Sequence, residues 1–318
     1  LGNTKVFLKN TILGLGALVF ASGAAAAAEP KSCQTLRFSD VGWTDITATT
    51  AVATTLFDAL GYTTQTKVLS VPVTYTSLAN GDIDVFLGNW MPTMEADLAP
   101  YREAGTVETV AVNLTGAKYT LAVPKYAYDA GLKDFADIAK FKDALKGEIY
   151  GIEAGNDGNR LILDMIKADT FGLGEFELVE SSEAGMLSQV ARATRREKPI
   201  VFLGWAPHPM NSNFEIEYLS GGDDVFGPNF GGADVHTNTR AGFVKECANA
   251  GKLVQNLKFT LAMENEIMNA ILNDGEDASD AAKAWLKANP SAYTPWLQGV
   301  SALDGGDAAA AVAKALGN

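Results

Sequence analysis

Three tryptophans each stand just past a short apolar run that reads as a strand. Trp43 follows Arg37-Phe38-Ser39-Asp40-Val41-Gly42, Trp90 follows Asp84-Val85-Phe86-Leu87-Gly88-Asn89, and Trp205 follows Ile200-Val201-Phe202-Leu203-Gly204. The face of an indole attracts cations, and several such faces around one space can hold an ammonium group that has no N–H to donate. In an open α/β sheet the carboxyl ends of the strands open onto the ligand crevice, so these positions point toward a ligand rather than the core. The last two runs echo each other, Val-Phe-Leu-Gly-Asn-Trp-Met-Pro against Val-Phe-Leu-Gly-Trp-Ala-Pro. They lie far apart in the chain, as equivalent strand ends of two similarly built lobes would, and a cleft walled by indoles from both lobes fits an organic cation.

Polar residues accompany the rings. Asp45, two residues after Trp43, either supplies the negative charge a quaternary ammonium needs or caps the helix that follows, and the two roles can coexist. Tyr119, at the start of a strand, offers a fourth face. In Glu153-Ala154-Gly155-Asn156-Asp157-Gly158-Asn159-Arg160, a turn between strand and helix places Asn156 where its amide could meet a polar ligand end. Asn156 or Asp157 serves equally well there as a helix cap. Trp285, on the apolar side of a helical run, and Trp296, just after a proline, read as packing residues.

The elements that must position these residues alternate. A strand over 35–39 precedes a helix over 45–60 that stops at Gly61. A strand over 63–69, a short helix over 73–80 before Gly81 and a buried strand over 85–87 follow. Two further strands are expected at 106–113 and 119–123. A second alternating series runs strand 148–152, helix 158–168, strand 176–180, helix 183–195 and strand 200–203. A Gly-rich loop over 220–234, a return strand over 236–240 and a helical stretch over 244–289 come next, and 307–316 is helix-prone. Strand–helix alternation implies mostly parallel sheet.

The first 28 residues form a unit of their own: Lys5 and Lys9, an apolar stretch from Thr11 to Phe20, then Ala26-Ala27-Ala28. This is the pattern of a secretory signal cleaved before Glu29. Its removal takes the formal charge from −13 to −15, an acidic balance that argues against nucleic acid and anionic membrane as partners. Cys33 and Cys247 are the two cysteines, which in an exported chain read as one disulfide. The bond would bring the first and last thirds of the chain into one lobe, residues 29–118 and 231–318, with 119–230 as the other. No phosphate-binding loop, His-Glu-x-x-His metal motif or Gly-x-Ser-x-Gly nucleophile turn is present, and His208 lies between two prolines where it shapes a loop. No catalytic residue, metal or cofactor is expected.

Val41-Gly42-Trp43-Thr44-Asp45, Gly88-Asn89-Trp90-Met91-Pro92, Tyr119-Thr120-Leu121-Ala122-Val123-Pro124, Gly151-Ile152-Glu153-Ala154-Gly155-Asn156 and Gly204-Trp205-Ala206-Pro207-His208 together resemble the substrate-binding proteins of bacterial ABC importers for quaternary amines, the glycine betaine and choline group. The resemblance implies a bilobal periplasmic α/β fold, two lobes joined by two crossing segments and closing on ligand, with an aromatic box of Trp43, Trp90, Tyr119 and Trp205. It also implies that Asp45 and Asn156 serve the cation and the hydroxyl of choline. The expected protein is a monomer that binds choline, with acetylcholine or betaine weaker, and delivers it to an ABC permease whose ATPase is a separate subunit. A betaine binder of the same fold and a periplasmic enzyme acting on choline or its esters are the competing readings.

Overall fold

The computed structural model of the protein describes residues 1–3 and 29–317, so that nearly all of the expected export signal lies outside it. Strands β1 (Thr35–Asp40), β2 (Thr63–Val68) and β3 (Val85–Met91) form one parallel flank of a nine-stranded sheet. Strands β5 (Glu148–Tyr150), β6 (Glu177–Val179) and β7 (Phe202–Ala206) form a second. Between them run two long strands, β4 (Val107–Pro124) and β9 (Gly232–Arg240), paired antiparallel to each other. The order is β2-β1-β3-β9-β4-β7-β5-β6, with β8 (Ile216–Tyr218) beside β4. The sheet is thus parallel within the flanks and antiparallel where they join.

Helix α1 (Thr44–Ala59) follows β1, and its Ala/Thr-rich sequence is buried on nearly all sides. It packs between β1 and the later helices, because the chain returns after β9 to cover the first flank. Helix α2 (Val71–Asn80) begins with a proline in its first turn and ends at Gly81 in the left-handed conformation, where glycine escapes the Cβ clash. Helix α3 (Glu95–Glu103) follows β3, while α4 (Asp157–Lys167) and α5 (Glu183–Thr194) belong to the second flank. Cys33 and Cys247 are bonded, with 5.4 Å between their Cα atoms, tying the start of β1 to the segment after β9. Asp84, before β3, accepts from Arg37 of β1 at 2.8 Å and Arg240 of β9 at 2.7 Å, locking the same flank at its edge. Trp296 packs edge-on against Phe259, and half-buried Trp285 donates to Glu266.

Three expectations need correction. The runs at 106–113 and 119–123 are one strand, β4, whose register against β9 shifts between Thr109 and Ala117. These irregularities, with Gly116 at φ +76°, break the two-residue alternation that would have revealed a single strand. The return strand starts at Gly232, inside the segment read as a Gly-rich loop. Trp90 and Trp205 lie within the ends of β3 and β7 rather than past them.

Candidate ligand-binding site

The two flanks face each other across a narrow cavity lined by Trp43, Asp45, Trp90, Tyr119, Ile152 and Trp205. Trp43, Asp45 and Trp90 come from the first flank, Tyr119 from crossing strand β4, and Ile152 and Trp205 from the second. All four rings are at most 5% exposed.

Trp43 sits in the turn from β1 to α1. Asp40 fixes that turn by accepting from the Gly42 N–H and the Thr47 hydroxyl, both at 2.7 Å. Trp43 itself occupies the cap position of α1, and its indole N–H donates to Glu153 of the opposite flank at 2.8 Å. Asp45 lies one step into the helix, so it is not the cap. Its Oδ2 accepts from the Trp90 indole at 3.1 Å, while its buried Oδ1 has no partner. One carboxylate therefore orients one ring of the cavity and keeps an open oxygen in the same wall.

Tyr119 and Trp205 are directly opposed in the β4–β7 register, which puts both side chains on one face of the sheet. Their ring centroids are 6.2 Å apart and nearly perpendicular, and Trp90 lies 6.0 Å from Tyr119 on the other side. Two glycines let the backbone close around this tyrosine. A Cβ on Gly158 would fall 2.1 Å from the Tyr119 hydroxyl, and one on Gly231, which has φ +68°, would fall 2.0 Å from the Tyr119 carbonyl oxygen. The Tyr119 hydroxyl donates to Asn156 Oδ1 at 2.9 Å. Asn156 is the cap of α4, accepting also from the Asn159 N–H, and stands one layer behind the cavity wall rather than in it. Arg160 is turned away from the cavity and bridges the flanks, donating to Asp97 at 2.8 Å and the Thr93 carbonyl at 2.9 Å.

Burial shapes the electrostatics. Desolvation, reinforced by nearby Glu183, pushes the Asp45 carboxyl up to about 8 despite the hydrogen bond from Trp90. Desolvation likewise raises Glu153 to about 7 and Asp157 to about 6. The cavity's shell is thus a group of carboxyls held toward their neutral forms, which a cation would convert to anions.

Residues that sequence reasoning did not connect to the site complete its shell. Ile152 supplies an apolar wall. Glu183, at the start of α5, accepts from both the N–H and the hydroxyl of Thr44 across the cleft, and from His208. His208 packs against Trp205 with ring centroids 4.9 Å apart. The sequence signal for Glu183 was only that of an acidic residue in a first helical turn.

A bilobal α/β molecule with an aromatic cavity between its lobes is a solute-binding protein. The family described as "Substrate binding domain of ABC-type glycine betaine transport system" matches residues 34–288, and the chain belongs to it. The family makes the chain a binding component of an ABC transport system rather than an enzyme. A solved structure described as an ABC-transporter choline binding protein in complex with choline is 69% identical, covering 91% of this chain and 100% of that one with a TM-score of 0.90. The same type of protein in an unliganded semi-closed conformation, at equal identity and coverage, gives 0.84. The described conformation is therefore nearer to that of the liganded relative. The glycine betaine/carnitine transport binding protein GbuC of Listeria monocytogenes is 32% identical over 157 residues, 49% of this chain and 51% of that protein.

Proposed function

We propose that the protein captures choline between its lobes and delivers it, in the periplasm and as a monomer, to an ABC permease powered by a separate ATPase. The observation that carries this reading is the convergence of four aromatic rings and one open carboxylate oxygen on a single cavity. Trp43, Trp90, Tyr119 and Trp205 would face the trimethylammonium group. Asp45 would balance its charge, and Asn156 would act on the hydroxyl end through Tyr119 or directly. In this reading the lobes comprise residues 29–118 with 231–318, and 119–230. The boundary near 118 falls inside β4, which makes that strand a hinge.

Four cation–π contacts at about 2 kcal/mol each would total roughly 8 kcal/mol if they were additive, about what a micromolar complex needs net of association costs. Because such contacts are not additive, Asp45, methyl burial and lobe closure have to contribute. Glycine betaine is the second reading, favoured by the family description and by the GbuC relative. Calorimetry with choline, acetylcholine and glycine betaine side by side separates the two. Choline is expected to bind tightest, and betaine binding as tightly as choline would reassign the ligand while leaving the fold and the transport role intact.

A further inference from the structure

We propose that Glu183 is a positioning residue that completes the start of α1 from the opposite lobe, and only when the lobes are closed, so that it sets how long the ligand is retained. The inference rests on the binding function above. The first turn of a helix has N–H groups with no partner inside the helix. At α1 the cap residue, Trp43, has no capping side chain, and the first N–H, that of Thr44, donates instead to Glu183 Oε2 at 2.9 Å. The Thr44 hydroxyl donates to Glu183 Oε1 at 2.5 Å.

The same Oε1 accepts from His208 Nε2 at 3.1 Å. His208 Nδ1 accepts from the Met210 N–H at 2.9 Å, so the ring proton sits on Nε2 and points at the glutamate. Glu183, His208 and Thr44 are 5%, 1% and 9% exposed. Hydrogen bonds to a carboxylate are stronger than neutral ones, and more so away from water. With three donors on its two oxygens, this carboxylate is committed to protein and is not a ligand contact.

The consequence lies in what Glu183 joins. On one side is the helix turn that carries Trp43 and Asp45. On the other is the loop after Trp205, whose carbonyl is held by Asn211 at 2.8 Å. Opening the cleft separates Thr44 from Glu183 and returns both to water. Glu183 keeps a favourable position in the open form, because it stands in the first turn of α5, which Ser182 caps. The bonds from Thr44 to Glu183 therefore favour closure without stabilising either lobe alone.

The test compares wild type, Glu183→Ala and Glu183→Gln in the full-length mature protein. It uses choline calorimetry, stopped-flow dissociation, melting with and without choline, and inter-lobe distances in the ligand-free protein from pulsed EPR. Glu183→Ala should weaken choline tenfold or more through faster dissociation and shift the ligand-free distances outward. Because buried His208 loses its partner within the same lobe, ligand-free melting should fall, but by less than melting with choline. Glu183→Gln, whose amide oxygen still accepts the Thr44 N–H, should recover part of the affinity. Wild-type affinity and distances in Glu183→Ala would overturn the proposal, and so would an equal loss of melting temperature with and without choline. If wild type itself fails to bind choline, the binding reading falls. The role of Glu183 is then decided by the ligand-free distances alone, longer ones supporting it and unchanged ones refuting it.

Discussion

Asp45 carries the clearest consequence at the scale of single residues. Burial in the folded protein raises its carboxyl to about 8, above the ordinary 3.8. The stability it lends that state is fully present below the unfolded value and is lost as pH climbs toward 8. A quaternary cation in the cavity favours the ionised form, so choline binding should expel a proton near neutral pH. Choline affinity should then rise from pH 6 to about 8 and level off. Betaine brings its own carboxylate, which would favour the protonated form, so its affinity should fall over the same range. Once Asp45 is ionised, a betaine carboxylate about 5 Å away would be repelled by roughly 3 kcal/mol at an effective dielectric near 20. Calorimetry in buffers of different ionisation enthalpy measures the proton count, on the order of one for choline, and Asp45→Asn should remove most of it, leaving the smaller share of Glu153 and Asp157. A flat choline profile with no proton released would remove Asp45 from the role of counter-charge. The residues around this carboxyl differ in how far they could be read in advance. Trp43, Trp90 and Trp205 were legible because strand-end position and the repeated Val-Phe-Leu-Gly run are local signals. Glu183 and His208 were not, because what they do depends on Thr44, far away in the chain and across the cleft.

At the scale of elements, Tyr119 is held by pieces that no single stretch of sequence announces. The continuity of its strand with the run before it hid behind broken alternation, its hydroxyl leans on the cap of α4, and the first turn of α4 comes close enough to exclude any side chain at Gly158. Alanine favours helices over glycine by about 1 kcal/mol, so Gly158→Ala should be stabilising by local preference. The tyrosine contact predicts the opposite where it matters. The ring must move, and choline affinity should drop more than tenfold, with melting of the ligand-free protein changed little. Calorimetry and thermal unfolding on the same variant decide it, and undiminished affinity would show that Tyr119 has room to adjust. The α/β alternation and most helix positions were readable, since periodicity, Gly61 and Gly81 mark them. The antiparallel join was not, because strand pairing across such distances leaves no periodic trace.

For the whole molecule, the bond between Cys33 and Cys247 closes a loop of 214 residues. In the chain-entropy model such a closure is worth up to about 5 kcal/mol. The bond lies beside the start of β1, and the cavity is at that strand's other end, roughly 20 Å away at about 3.3 Å per residue. Replacing both with serine should lower the melting temperature yet leave choline affinity unchanged. Lost affinity with intact melting would mean that the bond shapes the cleft rather than the fold. That the two thiols are paired was legible from the cysteine count and the signal-like pattern of the first 28 residues.

The hydrogen-bonded pair β4 and β9 also determines the kind of complex the molecule forms. Each lobe by itself offers an incomplete set of rings, as a monodentate ligand offers one donor, and the paired strands hold the two sets together like the backbone of a chelating agent. If the cavity holds a cation as proposed, release should proceed in two stages, one lobe letting go while the other still holds it. During the interval, the tether keeps the detached lobe at high effective concentration. Retention is thus a property of the connection as much as of the contacts. A partner that forces the strands apart would empty the cleft without touching a single ring.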